Sequence, residues 1–313
     1  GSYVPDRVLT NNDLKQFVET SDEWIHSRTG IKERHISTGE STLDLAYQAS
    51  LKAIDSSGIA KDEIDLIIVA TVTPDYAFPG VANLLQARLG IEGIIAFDIN
   101  AACSGFIYAM QLADKMIKSG AFKNALIVGA ETLTRLTDWR DRNTCVLFGD
   151  GAGAMVISMS EENNIVDVVT GSQGDTEMLL YCKSPALKDP SVNAISPQDH
   201  IHMNGSEVFK FATRIMPKTV ENLLSRNGIS IDELDHIVAH QANMRIIDKS
   251  ARDLSISMEK MYTNIDKYGN TSAASVPIAI DEAVRTNFLK RGDLFITVAF
   301  GGGLTWAGAL IKF

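Results

Sequence analysis

The sequence predicts an α/β protein built from two related halves, and three observations carry that prediction. A segment repeats: "SSGIAKDEIDLIIVA" at 56–70 returns as "RNGISIDELDHIVAH" at 226–240, a shift of 170 residues from Asp62 to Asp232. Each copy follows a helical pattern that ends at a glycine, Gly58 or Gly228, and then enters an apolar, β-branched run of strand length. Each half closes on Phe-Gly-x-Gly, "FGDGAGAMVIS" from Phe148 and "FGGGLTWAGALIKF" from Phe300. Strands alternating with long helices imply mostly parallel sheets covered by helices.

The elements follow in order. "LDLAYQASLKAIDSSG" (43–58) has the apolar spacing of a helix, and "LIIVA" after it is a buried strand. "FDINAACSGFIYAM" (97–110) passes from an apolar strand to an apolar helix, with Lys115 and Lys118 late in that helix and Gly120 as its stop. "AFKNALIVGAE" is the next strand. The second half repeats the plan, with "IMPKTVENLLSRNG" as helix and "RGDLFITVAF" as strand. The "GDGAGA" at 149–154 fits a dinucleotide fingerprint, but that motif must leave a strand and open a helix. Here the strand-like "MVIS" follows, so no nucleotide site is expected.

Composition narrows the function classes. The 313 residues, 45% hydrophobic, suffice for one large domain or two fused units with a buried core. A net charge of −10 argues against a duplex nucleic-acid binder, although Arg245, Lys249 and Arg252 recur at helical spacing. No apolar run approaches the roughly 20 residues of a membrane span, and no basic-then-apolar leader is present, so a cytoplasmic protein without membrane contact is expected. Cys103, Cys145 and Cys182 lie far apart and suggest reduced thiols rather than disulfides or a zinc cage. His200 and His202 alternate as in a strand and lack further ligands, so no metal is expected.

Cys103 stands where a strand gives way to a helix. Unpaired N–H groups at a helix N-terminus stabilise a thiolate and can lower a cysteine pKa from about 8.5 to roughly 3.5–7.5. The position suits a nucleophile, the other reading being a small buried hydrophobe. Three further stretches sit at strand ends, where α/β proteins build their sites: His240 in "VAHQANMRI", Asn270 in "KYGNTSAAS" and the glycines of "AFGGGLTW".

Taken in order, "TSDEWIHSRTGIKERHI", "DINAACSGF", "FGDGAGA", "MNGSEVFKFA", "HQANMRI", "GNTSAASVPIA" and "FGGGLTW" resemble the β-ketoacyl-acyl-carrier-protein synthase III family, within the thiolase-like superfamily. Thiolases carry a second cysteine where this chain has Ala299 and Phe300. Elongating synthases have a second histidine where it has Asn270, and chalcone-synthase-like enzymes end in a different glycine loop. The resemblance implies a thiolase-like α/β fold of two duplicated βαβαβαββ halves, 1–165 and 166–313, in a five-layer α/β/α/β/α sandwich. It implies the initiating step of type II fatty-acid synthesis. In that step a short acyl-coenzyme A condenses, with loss of carbon dioxide, with malonyl-acyl-carrier protein to give a 3-oxoacyl product through an acyl-enzyme. Acyl-coenzyme A is then a substrate, and no cofactor is needed. A synthase-III-like condensing enzyme of secondary metabolism is the alternative.

The same resemblance assigns residues. Cys103 is the nucleophile, His240 and Asn270 hold the enolate oxygen, the N–H groups of Cys103 and Gly302 form the oxyanion hole, and Phe300 shields the reacting carbons. Trp24, Arg28 and Arg142 grip the coenzyme A nucleotide, and Gly205, Phe209 and Asn243 line its pantetheine arm. Leu147, Phe148 and Met203 border the acyl pocket. Phe78 reaches into a partner's pocket, which implies a homodimer. Lys210, Arg214, Arg245, Lys249 and Arg252 would receive the acidic carrier protein. Relatives open with a strand before Gly-x-Tyr-x-Pro, and this chain begins at "GSYVP", so that first strand is expected to be missing.

Overall fold

Two five-stranded sheets of one topology organise the protein, whose computed structural model describes residues 1–184 and 199–313. The first half supplies, in order, β1 (Ser2–Tyr3), β2 (Val8–Thr10), α1 (Asp22–Thr29), β3 (Glu33–His35), α2 (Thr42–Ser57), β4 (Leu66–Ala70), α3 (Val81–Leu89), β5 (Ile95–Ile99), α4 (Gly105–Lys118), β6 (Asn124–Thr132), α5 (Arg142–Cys145) and β7 (Asp150–Ser158). The second supplies β8 (Ile165–Ser172), β9 (Leu180–Tyr181), β10 (His202–Met203), α6 (Gly205–Asn227), β11 (His236–Ala239), α7 (Met244–Asp253), β12 (Met261–Tyr262), α8 (Ile265–Tyr268), α9 (Ser275–Arg285), β13 (Leu294–Gly301) and β14 (Thr305–Lys312).

The first sheet runs β1-β7-β6-β4-β5 and the second β8-β14-β13-β11-β12. In each, the strand next to one edge is parallel to both neighbours, β4 to β5 and β6, β11 to β12 and β13, and the last two strands of the half form an antiparallel pair. The glycines at 149–154 run into and along β7 with no helix after them, which removes the dinucleotide reading. The loop between β7 and β8 covers 159–164, so β8 already begins at Ile165.

Local chemistry sets the helix ends. Ser41 and Asp44 cap the start of α2 reciprocally, and both α2 and α6 stop at a left-handed glycine, Gly58 (φ 69°) and Gly228 (φ 66°). Helix α6 starts ten residues before the predicted pattern and holds Pro217 in its interior. Its buried face, from Phe211 to Leu224, packs on the second sheet and outweighs the missing N–H.

Helices α4 and α9 lie between the sheets: Phe106, Met110, Val276 and Ala279 share a core with Leu66, Ile127, Val238 and Phe295. Helices α2 and α3 cover the outer face of the first sheet through Leu45 and Leu85, and α6 and α7 that of the second through Met216 and Ile247. The result is five layers, α/β/α/β/α. Both faces of each sheet are covered, which is why the strands read as continuous apolar runs. At the outer edge of the first sheet Ser2 pairs with Gly153 and Tyr3 with Ala152, a two-residue strand within the opening "GSYVP" itself.

Candidate active site

Cys103 does not open α4 itself. It sits in a tight 3-10 turn, Ala102–Ser104, between β5 and α4, entered through Ala102 in the left-handed region (φ 47°). Burial pushes its thiol up to about 12; the Ser272 hydroxyl pulls it down and the charge of Glu131 adds to the rise. This reverses the lowered pKa expected from the sequence. Cys103 is only 8% exposed, and lost hydration outweighs the N-terminus of α4.

Strand β13 ends against this turn. A Cβ on Gly301 would stand 2.7 Å from the Cys103 nitrogen, so only glycine permits the approach. The Thr305 hydroxyl donates to the Ala101 carbonyl at 2.9 Å and lies 3.2 Å from Ser104 Oγ, tying the Gly301–Thr305 turn, with Gly302, to the Cys103 turn. Phe300 is buried and meets the His240 ring edge-on at 5.4 Å.

His240 follows β11 directly, and its N–H donates to the Val298 carbonyl at 2.8 Å. The ring is buried, its Nδ1 has no partner, and desolvation pushes its pKa down to about 3, so the imidazole is uncharged. Gln241 anchors the turn: its N–H donates to Ser275 Oγ (2.8 Å) and its amide to the carbonyls of Ala239 (2.8 Å) and Tyr262 (3.1 Å). Asn270 is pinned through its backbone, its N–H donating to the Leu147 carbonyl and its carbonyl accepting from Gly149 N–H. Its Oδ1 accepts from Ser272 N–H at 2.9 Å, which orients the carboxamide and leaves the NH2 as the other end.

The nucleotide-binding candidates come together. Trp24 has the Arg28 guanidinium 4.8 Å from its ring centroid and that of Arg142 4.6 Å away. Of the pantetheine candidates, Phe209 is half-buried beneath the Arg245 guanidinium at 5.5 Å, and Asn243 spends its side-chain oxygen capping α7 at 2.9 Å. Gly205 opens α6, and a Cβ there would make only an ordinary 3.6 Å contact with Met203, so space does not require a glycine. Leu147, Phe148 and Met203 share one apolar cluster, whereas Phe78 is 86% exposed. Among the docking candidates, Lys210 pairs with Glu207 and Lys249 with Asp253, each at 2.7 Å within one helix, while Arg214 and Arg252 are exposed.

Sequence reading passed over two residues at this centre, Ser272 and Glu131. A signal was available: a lone acid closes the apolar run "ALIVGAE". His202 lies in β10 beside Asp199 (3.0 Å) and His200 lies outside any strand. Among the described residues no three His, Cys, Asp or Glu side chains form a metal-sized group, and no helix is long and apolar enough to cross a membrane.

Comparison with known proteins identifies the family and the fold. Residues 97–174 match the family model described as 3-oxoacyl-[acyl-carrier-protein] synthase III, and residues 224–313 match the model of its C-terminal part. The chain is 48% identical over 320 residues to the β-ketoacyl-[acyl-carrier-protein] synthase III of Clostridium acetobutylicum, covering all of this chain and 96% of that relative. It is 49% identical to the enzyme of that name from Xanthomonas campestris, with the same coverage. The 3-oxoacyl-[acyl-carrier-protein] synthase III structure from Aquifex aeolicus superposes with a TM-score of 0.93 at 47% identity, covering 100% of this chain and 98% of that one. A priming β-ketosynthase of the R1128 polyketide pathway superposes equally well, at 0.93, with 34% identity over 99% of this chain and 94% of that one.

Proposed function

We propose from its family how this protein works: the chain belongs to the 3-oxoacyl-[acyl-carrier-protein] synthase III family, the acyl-transferring condensing enzymes that initiate fatty-acid synthesis. Cys103 attacks the thioester of a short acyl-coenzyme A, and coenzyme A leaves as the acyl group passes to sulfur. The N–H groups of Cys103 and Gly302 hold the tetrahedral oxyanion. Malonyl-acyl-carrier protein then enters and loses carbon dioxide. His240, uncharged, and Asn270, through its NH2, donate to the enolate oxygen that results. The enolate carbon attacks the acyl carbon on Cys103, releasing a 3-oxoacyl-carrier protein and expelling the Cys103 thiolate, which regains a proton from solvent as product leaves, while Phe300 shields the reacting carbons.

The observation that carries this reading is that the Cys103 turn meets the turn after Asn270 and the end of β13, where Phe300 packs on the buried, uncharged His240. A donor pair suits an enolate, and an uncharged imidazole can donate at any pH near neutrality. Trp24, Arg28 and Arg142 would bind the nucleotide of coenzyme A, and the exposed arginines of α6 and α7 would meet the acidic carrier. A second copy of the chain would pair along β5, the free outer strand of the first sheet, supported by Ile95 at 50% exposure and Phe78 at 86%. The 47–49% identical relatives favour fatty-acid synthesis over the polyketide role of the 34% identical one.

The test is intact-protein mass after brief incubation with a panel of short acyl-coenzyme A thioesters. A gain of one acyl group that disappears in Cys103→Ala is the expected result. No gain with any donor would overturn the reading.

A further inference from the structure

Arg34, in β3, is fully buried, and among the described residues no carboxylate pairs with it. Its acceptors are all neutral: Nη1 donates to the Leu9 carbonyl (3.1 Å) and to Asn11 Oδ1 (3.0 Å), Nη2 donates to the Val146 carbonyl (2.7 Å), and Nε has no partner. A charge buried without a counter-charge is costly, so the position calls for something that an apolar side chain would not supply. What the guanidinium supplies is a fixed carbonyl beside the site. One residue past Val146, the Leu147 carbonyl accepts the Asn270 N–H (2.8 Å), and the Gly149 N–H donates to the Asn270 carbonyl (3.0 Å). Phe148 and Asn270 thereby form a parallel bridge. The Arg34 stem braces the same place: a Cβ on Gly149 would stand 3.1 Å from the Arg34 Cβ, and one on Gly269 would stand 3.4 Å from it. One side chain therefore stands against both sides of the bridge that holds Asn270.

We propose that Arg34 is a positioning residue for the condensation step, holding residues 146–149 where they aim the Asn270 carboxamide at the enolate oxygen. The rigid guanidinium fork bonds β2, Asn11 and the Val146 carbonyl at once and so fixes their spacing. A lysine ammonium, a point charge on a flexible stem, would not. The groups that serve the coenzyme A step have anchors of their own. Asn11 Nδ2 donates to Asp22 Oδ1 (2.9 Å) and to the Ile31 carbonyl (2.7 Å), which brackets α1 and with it Trp24 and Arg28. Asp141 caps α5, whose Arg142 donates to the Glu19 carbonyl at 3.1 Å. A change at Arg34 therefore disturbs the Asn270 end of the site and spares the nucleotide end.

This inference rests on Asn270 as an enolate donor, and the two half-reactions separate the one from the other. Intact mass reads acylation of Cys103 by the short acyl-coenzyme A that serves the native protein best. Condensation is the rate at which malonyl-acyl-carrier protein then gives a 3-oxoacyl product, taken per acylated Cys103 so that only folded protein is counted. Arg34→Lys should slow condensation by about 10- to 100-fold, the scale of loss when a catalytic group is displaced by about 1 Å, with acylation within a few fold of native. Arg34→Met, which removes every donor, should lose at least as much. In the Asn270→Ala background, adding Arg34→Lys should cost less than about twofold, because no carboxamide is left to aim. The same loss in both backgrounds would mean that Arg34 acts elsewhere and would overturn the proposal. Proportional loss of both half-reactions would reduce Arg34 to packing and overturn it too, as would native condensation in both Arg34 variants. Native condensation in Asn270→Ala alone would overturn the reading of Asn270 itself, and the proposal with it, with Arg34 untouched.

Discussion

Two turns, one in each half, are built alike and loaded differently. Asn100 and Asn270 stand 170 residues apart, and each accepts through Oδ1 the N–H two residues on, Ala102 at 3.2 Å and Ser272 at 2.9 Å. Both following residues are left-handed, both turns are 3-10, and both lead into a central helix, α4 or α9. Yet the first turn carries Cys103 where the second carries Ala273, and β11 is followed by His240 where β4 ends in Ala70. Asn100 is exposed, whereas Asn270 is buried. Duplication supplied two equivalent frames, and the proposed nucleophile lies in one while its proposed donors lie in the other. The site therefore exists only where the halves meet.

The asparagines give the sharpest test of that division. Asn270→Ala should lower condensation with malonyl-acyl-carrier protein by about 10²–10³, roughly 3–4 kcal/mol, the usual loss for one donor at a developing oxyanion. Acylation of Cys103, read by intact mass, should survive. Asn100→Ala removes the same turn hydrogen bond but faces solvent, so condensation should stay within a few fold. Comparable losses from both variants would mean that the asparagines only shape turns.

Two glycines that the 170-residue shift does not pair bring each half against the other. A Cβ at Gly129 would stand 2.2 Å from the Ala273 carbonyl oxygen, and one at Gly301 would stand 2.7 Å from the Cys103 nitrogen. Each strand presses on the other half's turn. Alanine at either position should cost about 3 kcal/mol in urea unfolding, the upper end of ordinary overpacking. Gly301→Ala should also slow acylation of the folded protein at least tenfold, because the displacement falls on the nucleophile's own backbone. Equal acylation rates in the two variants would show that the Cys103 turn tolerates the shift.

The repeat itself exposed most of the fold. The 170-residue shift, the glycine stops and the apolar runs defined both sheets, because strands buried on two faces leave an unmistakable trace. Cys103, His240 and Asn270 were visible as loop residues at strand ends. Thiol electrostatics was not legible, because desolvation depends on what covers the sulfur, and Gly301 and Phe300 arrive from some 200 residues away. Ser272 and Glu131 were hidden for a related reason: a serine in a turn and an acid at a strand end are common, and only their meeting at Cys103 gives them meaning.

A smaller difference separates the histidines that bracket β11. His236 at its start is half-buried and paired loosely with Asp293 at 3.5 Å, while His240 past its end is sealed. Burial lowers both pKa values, that of His240 to about 3. The folded chain therefore leaves His240 unprotonated while the unfolded chain takes up a proton below about pH 6.5, so stability falls as pH drops through that value and continues to fall toward pH 3. Between pH 7 and pH 5 this amounts to roughly 2 kcal/mol. Urea midpoints at the two pH values should show that loss in the native protein and its absence in His240→Gln, with His236→Gln recovering much less because its ring is partly hydrated. If the native protein and His240→Gln shift in parallel, His240 takes up a proton in the folded state, and a charged imidazole facing the acyl-enzyme would replace the uncharged donor on which the condensation step depends.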